Sequence, residues 1–166
     1  MIILGVDPGI ADAGYGLIDK LPNGKFICLA YGSIKTPAKT DLAERLETLY
    51  NELTAIIKKY KPEIAAVEDL FFSKNVKTAM AVGQARGVIL LTLKQNNIKF
   101  NEFTPNQVKQ ATTAYGGADK KQMQQMVKLL LGLKEIPKPD DAADALAIAI
   151  CAGGYCDFRL QENKIK

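Results

Sequence analysis

The 166-residue chain contains no histidine and no tryptophan. Without an imidazole there is no Ser-His-Asp or Cys-His nucleophile and no histidine-ligated metal. Acid–base and metal chemistry must then come from carboxylates, lysines or bound water. A carboxylate-only donor set suits hard cations such as Mg²⁺ or Mn²⁺ and is poor for Zn²⁺. Cysteine is scarce: Cys28, Cys151 and Cys156 are odd in number and lack CxxC spacing. They read as reduced thiols of a cytoplasmic protein, not as a zinc site or disulfide framework. No apolar run reaches membrane-spanning length, and no basic segment precedes the short N-terminal apolar run, so neither a membrane partner nor a signal peptide is expected. The net charge of +4 permits a polyanionic partner but does not argue for one.

What is present is a regular alternation of short apolar runs and amphipathic segments. Ile2–Asp7 reads as a strand buried on both faces. Gly14–Ile18 reads as a second strand and Lys25–Ile34 as a third. The short turn Leu21-Pro22-Asn23-Gly24 between them implies an antiparallel meander. Leu42, Leu46, Leu49, Leu53, Ile56 and Ile57 form one face of a helix over 42–59, with Asp41 as N-cap and Pro62 beyond its end. A fourth strand spans Ile64–Glu68, a long helix 75–95 and a fifth strand 98–103. Thr104-Pro105 opens another helix with Thr as N-cap and Pro at N1. A helix over 119–131 ends on Gly132, and a last helix spans 140–152. The order predicts an α/β fold in which an antiparallel meander joins parallel strands. Residues 1–154 are expected to form one domain, and 155–166 a polar, loose tail.

Three acidic positions coincide with structural transitions. Asp7 ends the first strand and Glu68 ends the fourth, and the carboxyl ends of such strands are where ligands bind in open α/β sheets. Asp140, Asp141 and Asp144 occupy the first turns of a helix whose continuation, Ala145–Ile150, is apolar enough to require burial. Each feature alone has a plain explanation. Asp-Pro-Gly is good turn chemistry, and acids at a helix N-terminus complement its dipole. Their coincidence is what suggests a site. Asp69 should point away from Glu68, since strand side chains alternate. Spacing leaves open whether Asp140 or Asp141 accompanies Asp144, because both offsets share a helix face.

The segments Ile3-Leu4-Gly5-Val6-Asp7-Pro8-Gly9, Gly14-Tyr15-Gly16, Val67-Glu68-Asp69-Leu70-Phe71, Gly83-Gln84-Ala85-Arg86-Gly87 and Asp141-Ala142-Ala143-Asp144-Ala145-Leu146-Ala147 occur in the order found in the RuvC family of Holliday junction resolvases. From Ile2 to about Ile150 the chain resembles that family. The first motif alone is weak, because Gly-x-Asp-x-Gly also opens actin-like ATPases. The resemblance implies an RNase H-like fold with a five-stranded mixed sheet. It also implies a homodimeric endodeoxyribonuclease that nicks four-way DNA junctions symmetrically, leaving 5′-phosphate and 3′-hydroxyl ends, and that works with a branch-migration complex. It assigns Asp7, Glu68, Asp141 and Asp144 as ligands of two Mg²⁺ ions, for which Mn²⁺ can substitute, and so selects Asp141 over Asp140. It matches Lys120 to a catalytic lysine, Lys109 to a phosphate contact and Phe71 to an aromatic that stacks on an unpaired base. Lys121 and, in a dimer, Lys74, Lys77 and Arg86 are expected to face DNA. The plain alternative for each lysine is a solvated surface residue. The chain departs from many relatives at Asp12-Ala13, at Gly117, where they carry a basic residue, and at Cys151-Ala152, where they carry histidine. None of these removes an acid.

Gly83 and Gly87, four apart on the long helix, allow close approach either to the sheet or to a partner chain. Three rival readings remain: a related nuclease acting on structured RNA, an actin-like phosphotransferase, for which the chain is too short, and a non-catalytic junction binder. The last is disfavoured, because a mere binder gains from losing acids near phosphates.

Overall fold

The computed structural model describes residues 1–69 and 76–162, with the side chains of 76–78 and 156–162 excepted. Its order is β1 (Ile2–Asp7), β2 (Asp12–Lys20), β3 (Phe26–Lys35), α1 (Leu42–Tyr60), β4 (Ile64–Glu68), α2 (Val76–Gln95), β5 (Lys99–Phe103), α3 (Pro105–Thr113), α4 (Lys120–Leu130) and α5 (Asp140–Glu162). The five strands form one sheet in the order β3-β2-β1-β4-β5. The meander β1–β2–β3 is antiparallel, while β4 and β5 pair in parallel beyond β1. The mixed sheet expected from the element order is therefore present.

Local chemistry explains the ends of the helices. Asp41 accepts from the Ala43 N–H to start α1, and Lys61 closes it in the left-handed conformation. Thr104 and Gln107 form a reciprocal capping box with Pro105 at the first turn of α3, and Asp119 and Gln122 repeat that box on α4. Gly132, at φ +61°, follows α4. The Leu133 N–H then bonds back to the Lys128 carbonyl at 2.9 Å, a Schellman ending that needs glycine at that position.

Two apolar layers sandwich the sheet. Leu4, Val6, Ala65 and Val67 pack against Leu49, Leu53, Ile89 and Leu93 of α1 and α2. On the other face, Ile3, Ala66 and Phe103 pack against Leu146, Ile148 and Ile150 of α5 and Met123 and Val127 of α4. This double cover is why β1 and β4 are apolar up to the acids that end them. It also sets directions: Ile3, Gly5 and Asp7 face α5, as do Ala66 and Glu68.

Gly5 lets α5 lie directly on the sheet. A Cβ there would sit 2.0 Å from the Ala145 carbonyl oxygen and 2.7 Å from the Ala149 nitrogen. Its neighbours in β2 do the same work: a Cβ on Gly14 would meet the Asp141 carbonyl oxygen at 2.0 Å, and one on Gly16 the Leu146 nitrogen at 2.7 Å. Gly5→Ala must therefore push α5 off β1. The expected cost is about 3 kcal/mol, the upper end for an overpacked core, read as a drop in melting temperature. A loss under about 1 kcal/mol would mean that the helix yields easily and that this contact does not set its position.

The last helix departs from expectation. It does not stop at Ala152 but passes through Gly153-Gly154 to Glu162. Each glycine inside a helix costs about 1 kcal/mol, which made the pair read as a stop. Gly153 serves instead as a packing gap: a Cβ there would meet the Phe26 ring at 2.5 Å. Lys20 Nζ donates to the Gly153 carbonyl at 2.7 Å, and the Tyr155 ring packs edge-on against Phe103 at 5.6 Å. Among the described residues no helix is long and apolar enough to cross a membrane.

Candidate active site

Val6 pairs with Val67 in the parallel ladder, so the next residues, Asp7 and Glu68, end adjacent strands side by side. Both side chains face α5. Asp7 also lies opposite Gly14 in the antiparallel ladder, and Gly14 is where the backbone of Asp141 presses on the sheet. The glycine seat under α5 thereby brings Asp141 and Asp144 over the carboxyl ends of β1 and β4. A cleft of about 210 Å³ opens there, lined by Glu68, Val108, Lys109, Lys120, Met123 and Asp144. A larger cavity of about 650 Å³ lies along α3 and α5 beside Phe26, Phe103 and Cys151, but its lining contains no carboxylate and no cation. The carboxylates and lysines line the smaller one.

The acids are strained by their placement. Burial, then Glu68, Asp144 and Asp141, push the Asp7 carboxyl up to about 8, against a weaker opposing pull from Lys120. Burial and then Asp144 push Glu68 up to about 7, while Lys109 pulls it down. Burial also raises Asp144, although the Lys120 ammonium opposes it. Among the described residues no hydrogen bond or ion pair reaches the Asp7 or Glu68 carboxylate. A carboxylate drawn partly out of water without a partner is disfavoured in its ionised form.

Lys120 begins α4, with its Nζ 3.1 Å from Asp140 Oδ2 and 3.5 Å from Asp144 Oδ2. Asp140 uses its other oxygen to accept from Gln124 Nε2 at 2.9 Å. It is thus turned outward as a tether for Lys120, and its carboxyl is held below the ordinary range by those same contacts. Asp141, by contrast, acts on Asp7. The geometry separates two residues that helical spacing left equivalent.

Not every expected residue joins this set. Asp69 points to the opposite face, as strand alternation requires, where Arg86 Nη2 pairs with its Oδ1 at 3.2 Å. The same guanidinium also pairs with Glu102. Arg86, expected to face DNA, is thus taken up by two carboxylates on the α2 side of the sheet, and its Nε is buried without a partner among the described residues. Lys121 is exposed beside Lys120 and does not line the cleft. Phe71 and Lys74 lie outside the described residues, as does the Lys77 side chain.

Sequence reasoning missed a clamp behind Asp7. Arg45 of α1 donates from Nε to Thr36 Oγ1 at 2.9 Å and from Nη2 to the Ile10 carbonyl at 3.1 Å. The Thr36 hydroxyl donates to the same carbonyl. The turn that follows Asp7 is therefore tied to both β3 and α1. Arg45 carries no motif signal, since an arginine on the polar side of an amphipathic helix reads as solvated.

The donor chemistry fits a hard divalent cation. All four acids supply oxygen, and Asp7 and Glu68 are half-buried with only Lys120 and Lys109 opposing their repulsion. Among the described residues no three acids close into a ready-made cage. Mg²⁺ does not ask for one: it is usually bound by one or two carboxylates and keeps waters or substrate phosphate oxygens.

Fold and cleft together define a class: a mixed 3-2-1-4-5 sheet carrying a carboxylate cleft on its central strands, the RNase H-like architecture of carboxylate nucleases. The family model described as crossover junction endodeoxyribonuclease RuvC matches residues 3–152. The RuvC crossover junction endodeoxyribonuclease of Halothermothrix orenii is 59% identical over 163 residues, covering 98% of this chain and 97% of the relative. That of Heliobacterium modesticaldum is 57% identical over 151 residues, covering 91% and 93%. The solved structure of Thermus thermophilus RuvC in complex with a Holliday junction substrate superimposes with a TM-score of 0.87 at 32% identity, covering 95% of this chain and 96% of that one. The chain belongs to the RuvC family of crossover junction endodeoxyribonucleases.

Proposed function

We propose that this protein resolves four-way DNA junctions by divalent-metal-dependent hydrolysis of a phosphodiester in each of two opposed strands. The observation that carries this reading is the pair Asp7–Glu68: two neighbouring half-buried carboxylates with no hydrogen bond or ion pair among the described residues, crowded by Asp144 and Asp141 beside a cleft lined by Lys109 and Lys120. Asp7, Glu68, Asp141 and Asp144 would hold a divalent pair such as Mg²⁺, which would supply an activated water and neutralise charge on the leaving oxygen. Lys120, kept at the mouth by Asp140 and Asp144, offers its ammonium to the charge that develops on the scissile phosphate. Lys109 orients a neighbouring phosphate from the opposite wall.

Two symmetric nicks require two sites, and α2 presents a surface suited to a second copy. Met80, Gln84, Gly87 and Leu91 recur at helical spacing and are all exposed. Met80 is 65% and Leu91 53% exposed, and Gly87 has only open space where a Cβ would be. An exposed stripe of this kind, with Met80 and Leu91 flanking Gln84 and a glycine, supports an isologous dimer through α2.

The test is a synthetic four-way junction incubated with Mg²⁺ beside a linear duplex of the same sequence and a structured RNA. Paired nicks confined to the junction are expected, with 5′-phosphate and 3′-hydroxyl ends. Equal cutting of the linear duplex, or cutting of the RNA alone, would overturn the assignment.

A further inference from the structure

Tyr115 is a solvent-exposed aromatic that the cleft chemistry does not use. It lies in the link between α3 and α4, and 65% of it is exposed. An exposed ring normally has freedom to move; this one is seated. A Cβ on Gly117 would lie 2.7 Å from both Cζ and Oη of Tyr115, so the ring rests on bare backbone that no other residue would leave clear. Its own backbone is fixed from below. The Thr113 hydroxyl accepts from the Tyr115 N–H at 3.2 Å and lies 2.8 Å from the Tyr115 and Lys109 carbonyl oxygens. Ala114 turns the chain in the left-handed conformation, at φ +59°. The Ala118 N–H closes the turn on the Tyr115 carbonyl at 3.2 Å.

This seat lies between α3 and α4, each of which contributes a lysine to the cleft. Asn106, Lys109 and Thr113 share one side of α3, and Lys109 lines the cleft. Gly116 lies against Asn106, whose Oδ1 would be 3.4 Å from a Cβ there. Asp119 and Lys120 follow within a few residues, with Lys120 on the opposite wall. The ring is thus held on the strut that joins the two helices bearing the lysines of the cleft.

We propose that Tyr115 is a DNA-stacking residue, its ring packing against a nucleobase of the strand that enters the carboxylate cleft. The proposal rests on the junction-cutting reading above. Aromatic rings at such positions bind bases through their faces, whatever the sequence, and a ring already fixed in place loses little freedom on doing so. Glycine at 117 is the condition for it, because any side chain there displaces the ring.

The test is the affinity of a fluorescently labelled four-way junction, measured by anisotropy without metal over a series of salt concentrations. Tyr115→Ala should weaken binding about 10-fold, within the range measured for a lost stacking contact. Tyr115→Phe should bind within about two-fold of wild type, because the face is kept. The salt dependence of Tyr115→Ala should match wild type, whereas that of Lys109→Ala should lose about one unit of slope. 2-Aminopurine at the nucleotides flanking the crossover should be quenched by wild type at one position and not by Tyr115→Ala. The melting temperature should not change, since the side chain is exposed. Unchanged affinity in Tyr115→Ala, or an equal loss in Tyr115→Phe, would overturn the stacking role while leaving the resolvase reading intact. Failure of the wild type itself to bind the junction would overturn that reading and this one with it.

Discussion

Asp7→Asn abolishes cutting of the four-way junction and leaves its binding intact. The expected fall in nicking rate is at least about 1,000-fold, equivalent to about 4 kcal/mol of transition-state stabilisation. The change removes a charge and almost no volume, so the seat of α5 on Gly5 and Gly14 is undisturbed. What it removes is the carboxylate nearest the centre of the acidic set, the one on which Glu68, Asp144 and Asp141 all act. Binding survives because Asp7 lies below the rim and contributes only repulsion toward phosphate. The matched control is Asp69→Asn. Asp69 follows Glu68 directly, yet it faces the α2 side and pairs with Arg86. It should keep cutting within a few-fold of wild type. If both variants lost activity equally, the effect would be one of strand-end integrity and not of a metal ligand. If Asp7→Asn cut at the normal rate, the site assignment would fail.

How much of this was legible in the sequence follows from the range of the physics involved. The caps at Asp41, Thr104 and Asp119 and the ending at Gly132 are local, and all lie where turn chemistry places them. The carboxyl-end position of Asp7 and Glu68 follows from two apolar runs that stop on acids. Their adjacency needed the parallel register, which no local pattern carries. The choice between Asp140 and Asp141 came from the resemblance, because helical spacing allows both. The structure shows the physical difference: one tethers Lys120 and Gln124 outside, and the other rests over Gly14. Arg86 and Gly153 show what sequence reading does not reach. An arginine expected on a DNA-facing surface carries no local sign of the ion pairs that Asp69 and Glu102 make with it. A glycine pair reads as a helix stop until Phe26 is found filling the gap. In each case the deciding partner is distant in sequence, so only tertiary packing reveals it.

The second large effect is on stability, and its sign with pH is fixed by the raised carboxyls. Asp7 titrates near 8 and Glu68 near 7 in the folded protein, against about 4 for either in an unfolded chain. Below pH 4 both states are protonated, and the acids cost the fold nothing. Between pH 4 and 8 the unfolded chain has released protons that the folded one still holds. Stability of the metal-free protein therefore falls as pH rises through that window. Asp7→Asn escapes most of this penalty. In chelator at pH 8 it should be more stable than wild type by about 3 kcal/mol, roughly half of what four tenfold steps in proton affinity at about 1.4 kcal/mol each would give, because water screens the half-buried group. For a chain of this size that is roughly 6–12 °C in melting temperature. At pH 4.5 the two should melt together within about 2 °C. Mg²⁺ reverses the order, since it needs the carboxylates deprotonated and compensates their charge. Saturating Mg²⁺ at 100 times its dissociation constant should raise wild-type stability by about 2.7 kcal/mol and Asp7→Asn by much less. The wild-type gain should grow from pH 5 to 8 and be accompanied by proton release in calorimetry. A wild-type melting temperature that is flat from pH 4.5 to 8 in chelator would show that the four acids are not crowded in the folded protein. The electrostatic basis for the metal site would then be lost even if the junction were still cut.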